Sequence, residues 1–225
     1  LAPRLTGLFV LGGLQGVLGW YMVKSGLVDR PDVSHYRLTA HLGLAVLIYA
    51  LLLRTALDLL YPNRLATADL IVEGPRRLAH GLTLLVFVVT LAGGLVAGLD
   101  AGFIYNSFPL MGGQLLPGEA LALSPAWLNH FENAAMVQFQ HRWLAILTLL
   151  GIVLFWQWGR RRAPEGRARL AVHAVLATAL TQVGLGIATL LLVVPVSVAA
   201  LHQAGALVLL SALIWAGQVL RGQPD

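Results

Sequence analysis

Long apolar runs separated by short polar breaks organise the chain. Leu5–Val23, Leu38–Leu53, Leu78–Leu99, Trp143–Trp158, Leu170–Pro195 and Val196–Leu220 each lack Asp, Glu, Lys and Arg. Most reach the ~20 residues that a helix needs to cross a hydrocarbon core of ~30 Å. The two shorter runs extend: the second continues to Leu60 through Arg54 and Asp58, an (i, i+4) pair, and the fourth reaches back to Met136 through His141 and Arg142. The pattern predicts an all-α integral membrane protein with six transmembrane helices. Residues 76–225 are expected to form a complete C-terminal four-helix bundle. Residues 1–75 supply two helices of a pseudo-symmetric N-terminal bundle.

Composition agrees, with 58% hydrophobic and 11% charged residues in 225, far from a soluble globular domain. The basic residues then set an orientation. Arg4, Arg54, Arg64, Arg76, Arg77, Arg160, Arg161, Arg162, Arg167, Arg169 and Arg221 fall on one side of the predicted helices, and only Lys24, Arg30, Arg37 and Arg142 on the other. Basic loops stay cytoplasmic, so both termini are expected there. Topology and anionic membrane lipid account for the net charge of +5, and nothing points to nucleic acid. Trp20 and Trp143 are expected near the outer interface, and Trp156, Trp158 and Trp215 near the inner one. The absence of cysteine removes disulfides and thiolate-bound metal from consideration.

The histidines sort by depth. His41, His141 and His202 lie within about two turns of the outer ends of their helices. His80 and His173 fall at the cytoplasmic ends, and His35 and His130 in outer loops; interfacial or solvated imidazoles describe those four. Neutral imidazoles at one depth on parallel helices of a bundle can bind a heme iron from both faces. Zinc is the competitor, but no HxxxH or HxxE spacing supplies further ligands for a tetrahedral site; hydrogen-bonded packing histidines are the other alternative. Arg142 beside His141, and Arg37 four residues before His41, are placed to pair with heme propionates, or to snorkel to the interface.

A weak repeat aligns LQGVLGWYMV (14–23) with TQVGLGIATL (181–190), matching Gln15 to Gln182, Leu18 to Leu185 and Gly19 to Gly186, each followed by a helix with a histidine near its outer end. His41 then corresponds to His202, and nothing to His141. Two helices and a histidine are therefore expected ahead of residue 1, and the chain begins with Leu. The long outer segment 99–135 is too apolar for disorder and is broken by Pro109, Gly112, Gly113, Pro117, Gly118 and Pro125. Phe103, Tyr105, Phe108, Leu110 and Met111 could press it onto the bundle mouth as a periplasmic lid.

The segments GWYMVKSGL, YRLTAHLGLA, AGLDAGFIYNSFPLMGG, VQFQHRWLA and LHQAGALVLL, in order over nearly the whole chain, resemble the heme A synthase family in its cysteine-poor proteobacterial and mitochondrial form. The resemblance implies eight transmembrane helices in two four-helix halves, and oxidation of the methyl group of heme O to the formyl group of heme A for the terminal oxidase. It implies that His141 and His202 bind the iron of heme b, and that His41 belongs to the substrate-heme side with Arg37. The family's catalytic Glu and His, in a glutamate-x-x-histidine-arginine motif on its first two helices, are expected upstream of this chain. The partners implied are membrane lipid, heme O, the heme O synthase and an unidentified electron acceptor, in a bacterial inner membrane. Two alternatives stand beside this reading. One is a b-type cytochrome acting only in electron transfer. The other is a transporter, disfavoured because no helix carries a buried carboxylate and Gly12, Gly16, Gly93 and Gly94 suit close packing.

Overall fold

The computed structural model describes residues 1–29, 33–61 and 70–221. Arg30 and Arg64, both used in the charge count above, lie outside the described residues. Among the described residues seven α-helices follow in order: α1 (Ala2–Asp29), α2 (His35–Leu60), α3 (Leu70–Gly98), α4 (Asn129–Glu132), α5 (Ala134–Arg162), α6 (Arg167–Leu191) and α7 (Val196–Val219). Six are long and apolar enough to cross a membrane: Ala2–Lys24, His35–Leu60, Glu73–Gly98, Ala134–Arg162, Arg167–Leu191 and Val196–Val219. These are the six runs of the sequence, and the chain is an integral membrane protein. Among the described residues there is no strand; a lone bridge joins Met111 to Gln114.

Four helices close a ring, in which α3 packs on α5, α5 on α6, α6 on α7, and α7 back on α3. Phe155, Ile152, Val172, Val175, Leu210 and Leu213 are fully buried inside it. In lipid such packing is held by van der Waals contact rather than by the expulsion of water, so small residues let helices approach. Gly94 against Thr39 and Leu42, and Gly159 against Val172, are such positions. Gly93 is another, but Gly12 and Gly16 face open space, because α1 lies outside the ring and packs chiefly on α2. α2 bridges α1 to α3 and α7.

Charge marks the two ends of the bundle. At one end Asp58 of α2 accepts from Arg4 of α1 (3.0 Å), from Arg54 one turn earlier (3.3 Å) and from Arg221 after α7 (3.2 Å), so the start of α1 and the end of α7 lie together. At the other end Tyr36 donates to Glu132 of α4 (2.6 Å), and His35 Nε2 lies 3.5 Å from the same carboxylate. His35 is thus the first residue of a helix with a side chain 14% exposed, not a solvated loop residue; the helix starts earlier than the apolar run because Glu132 is there to receive it.

The connection between α6 and α7 is compact. Val193 N–H donates to the Leu190 carbonyl (3.1 Å) and Val194 N–H to that of Thr189 (2.8 Å). This is the six-to-one and five-to-two pattern that usually ends on glycine. Here both valines have positive φ, 60° and 55°, a strained region for β-branched residues. Pro195 then starts α7.

Candidate functional site

The three histidines picked out by depth sit six or seven residues into α2, α5 and α7, roughly 10 Å along each helix. The fold brings two of them together. The rings of His141 on α5 and His202 on α7 have centroids 6.5 Å apart and planes at 89°, across the interior of the four-helix ring. Two metal–nitrogen bonds of ~2.0 Å with an imidazole beyond each give a centroid separation of about 6 Å, so the two rings would both reach one iron. Nδ1 of both rings is buried and makes no hydrogen bond of full geometry, but a backbone group of Val89 lies within reach of the His141 ring and one of Gln182 within reach of the His202 ring. One nitrogen of each ring would then be held by backbone and the other left for a metal. Among the described residues no three His, Cys, Asp or Glu side chains gather to hold a metal ion. The donor set therefore fits a heme, which needs only two protein ligands.

Each ring leans on a glycine of a neighbouring helix. A Cβ built on Gly186 of α6 would come within 2.8 Å of His202 Cε1, and one on Gly93 of α3 within 3.2 Å of His141 Cε1. His41, on α2, leans on Gly19 of α1 with a corresponding distance of 2.9 Å. The weak repeat seen in the sequence reappears here as geometry: Gln15 Nε2 donates to the His41 carbonyl (3.0 Å) and Gln182 Nε2 to the His202 carbonyl (2.9 Å). Gln15 Nε2 also lies 3.4 Å from His41 Nε2. His41 is not brought to the other two; among the described residues the pair of facing histidine rings is His141 and His202.

Arg142 points into the long connection. Its Nη1 donates to the Ser107 carbonyl (2.7 Å), and its Nη2 to the Tyr105 carbonyl (2.7 Å) and to Gln138 Oε1 (3.0 Å), while Nε is buried without a partner. Gln138, one turn before Arg142 and 2% exposed, donates in turn to the Ala101 carbonyl (2.7 Å). The loop is thereby tied to the helix that carries His141. Asn106 reaches across to the Leu190 carbonyl at the end of α6 (2.9 Å). Asn133 caps α5 by accepting from Ala135 and Met136 N–H, and Tyr105 donates to Glu119. Of the five apolar residues expected to press inward, Met111 does so at 2% exposure, and Tyr105 is half-buried, packed on Ala120, Ala135 and Met136. Phe103, Phe108 and Leu110 are instead exposed; amide and guanidinium groups hold the segment, so its apolar side chains are free to face outward. Gln138 was missed in the sequence, although its (i, i+4) spacing from Arg142 in VQFQHR was a readable signal.

Arg37 stacks on the Tyr21 ring, 5.0 Å from guanidinium carbon to centroid. His80 lies against Gly217 of α7, His173 accepts from Trp156 Nε1 (3.0 Å), and His130 Nδ1 lies 2.6 Å from Gln140 Nε2. Trp156 and Trp158 carry Arg160 and Arg162 on their faces, and Trp20 carries Lys24.

The chain is similar to known proteins over nearly its whole length. The family described as Cytochrome oxidase assembly protein (COX15-CtaA) matches residues 1–214. The chain is 50% identical over 223 residues to the heme A synthase of Nitrosospira multiformis, covering 99% of this chain and 63% of that protein. It is 53% identical over 223 residues to that of Rhodospirillum centenum, covering 98% and 59%. It is 46% identical over 228 residues to heme A synthase COX15 of Homo sapiens, covering 98% and 55%. The chain thus spans less than two thirds of the length of these curated relatives. No solved structure matches it.

Proposed function

The chain belongs to the cytochrome oxidase assembly family that contains the heme A synthases, and from that premise we propose that it is part of a heme A synthase, its four-helix ring holding a resident heme b. The observation that carries the proposal is the His141–His202 pair, 6.5 Å apart on two helices of the ring. His141 and His202 would hold the iron, and the bound heme would supply a one-electron carrier inside the membrane. Arg142 and Gln138 tie the 99–135 segment over that end of the ring, where it would keep water and lipid from the site. His41, with Arg37 nearby in sequence, belongs to the substrate side, where heme O would be received. A catalytic Glu and His would come from elsewhere in the protein.

The overall conversion balances with water as the oxygen donor: a methyl group and one water give a formyl group, four protons and four electrons. An electron acceptor must take those electrons. Membrane lipid, heme O and the heme O synthase are the partners of this reading, and a bacterial inner membrane with both ends of the chain cytoplasmic is its location. Residues 76–225 would be the heme b half, and residues 1–75 part of the substrate half.

The alternative, a b-type cytochrome acting only in electron transfer, rests on the same histidine pair and differs in its products. Expression of the natural protein with a heme O source, followed by heme extraction and chromatography, separates them. Heme A alongside heme b supports the synthase; heme b alone, with heme O unconverted, supports the carrier.

A further inference from the structure

We propose that Gln182 and Gly186 of α6 are positioning residues that fix the imidazole of His202, and that Gln15 and Gly19 of α1 hold His41 in the same way; the inference rests on the heme reading of the histidine pair. A glutamine four residues before a glycine lies one helical turn below it on the same face. Each cradle therefore offers two contacts to the histidine of the adjoining helix. The glutamine amide donates to that histidine's own carbonyl, at 2.9 Å for His202 and 3.0 Å for His41, which fixes the backbone from which the ring springs. The bare glycine Cα lets Cε1 of the ring approach to a distance that no side chain permits: an added Cβ would stand 2.8 Å and 2.9 Å away.

The two cradles lie far apart in sequence and use different helix pairs, α1 with α2 and α6 with α7, so the shared geometry is not the by-product of one local turn. His141 shows what the glutamine adds. It too leans on a glycine, Gly93, at a looser 3.2 Å, and the backbone of Val89, four residues before that glycine, reaches its ring as the backbone of Gln182 reaches His202, but Val89 has no side-chain amide to hold the histidine's carbonyl. Gln182 is itself seated by a glycine, since a Cβ on Gly205 of α7 would overlap its Oε1.

Each cradle also leaves the same two kinds of buried atom without a hydrogen-bond partner: Gln182 Oε1 with His202 Nδ1, and Gln15 Oε1 with His41 Nδ1. An imidazole bound to a metal through one nitrogen carries its proton on the other and needs an acceptor for it. For His202 the backbone of Gln182 is the group within reach of the ring, and the side-chain oxygen of Gln182, seated against Gly205, is a further acceptor that the structure leaves unengaged. Such outer groups set ligand orientation and basicity, and through them the potential of the metal.

Ring orientation has a readout independent of turnover. The angle between two axial imidazole planes governs the splitting of the iron d orbitals, so the ferric low-spin electron paramagnetic resonance signal reports it. Planes at 89° call for a strongly anisotropic signal in the unaltered protein. The test compares four forms of the purified heme-containing protein in detergent: unaltered, Gly186→Ala, Gln182→Met and Gly184→Ala. The last is a control on the same helix, because a Cβ there meets nothing within 4 Å. Gly186→Ala should displace the largest g-value and lower heme content severalfold. Gln182→Met should displace the g-values and the midpoint potential while heme is retained, and Gly184→Ala should match the unaltered protein. If Gly186→Ala does not fold, Gln182→Met alone decides. Signals from both variants that superimpose on the unaltered one, or a control that shifts as much as they do, would overturn the positioning role and leave the heme reading intact. Absence of any low-spin heme signal from the unaltered protein would overturn both.

Discussion

Arg142 is the residue whose surroundings show a structural role most plainly, beside the cofactor contact expected of it. Three of its N–H groups bond the carbonyls of Ser107 and Tyr105 and the side chain of Gln138, a forked arrangement that an ammonium cannot reproduce. Arg142→Lys should therefore loosen the 99–135 segment, at a cost of about 1.5–3 kcal/mol for each charged hydrogen bond lost. Limited proteolysis within that segment should quicken while the absorbance of the histidine-bound heme stays in place; a cleavage rate equal to that of the unaltered protein would remove Arg142 from the clamp. Adjacency to His141 was legible in the sequence and suggested a propionate partner. The loop carbonyls were not, because they reach Arg142 only after a connection of more than thirty residues has folded back, and nothing local encodes that. Gln182 and Gln15 were visible as a repeat, but their bonds to histidine carbonyls arise only from helix pairing.

At the scale of elements, the six spans were legible because a bilayer imposes length and apolarity on each helix independently of its neighbours. Their ends were less so. α1 continues to Asp29, and α2 begins at His35, where Glu132 receives Tyr36 and His35 outside the apolar run. The break between α6 and α7 was legible at Pro195, where the sequence divides the two runs and α7 begins, but the form of the turn was not, because Val-Val gives no turn signal. Val193 occupies the position where this helix-ending motif ordinarily has glycine, and left-handed backbone costs a non-glycine residue ~1–2 kcal/mol, partly offset by glycine's greater entropy when unfolded. Val193 is 52% exposed, so it forgoes little packing. Val193→Gly should raise the midpoint of thermal unfolding in detergent, by the equivalent of about 1 kcal/mol at most. Val193→Ile should not. A glycine variant that melts earlier would mean that the valine side chain contributes more than its backbone strain costs.

At the scale of the whole molecule, the clustering of Arg4, Arg54 and Arg221 on Asp58 at one end, against Glu132 with His35 and Tyr36 at the other, agrees with the sorting of arginines along the sequence. The membrane side of each end is tested by single cysteines, introduced without background because the chain has none. The outer probe belongs on Leu121, which is 61% exposed, and the inner one on Glu165, whose side chain is 86% exposed. An impermeant thiol reagent applied to the periplasmic side should label Leu121→Cys and spare Glu165→Cys; the reverse would invert the orientation. Such labelling would leave the helix ring and its histidine pair as they are, and on that pair the functional account depends. Its most direct test is the reduced-minus-oxidised absorbance spectrum of the purified protein, compared with His141→Ala and His202→Ala, while His80→Ala reports the effect of removing a histidine elsewhere in the bundle. The account predicts that either substitution in the pair abolishes or shifts the low-spin heme band and that His80→Ala keeps it. Unchanged bands in both His141→Ala and His202→Ala would contradict it.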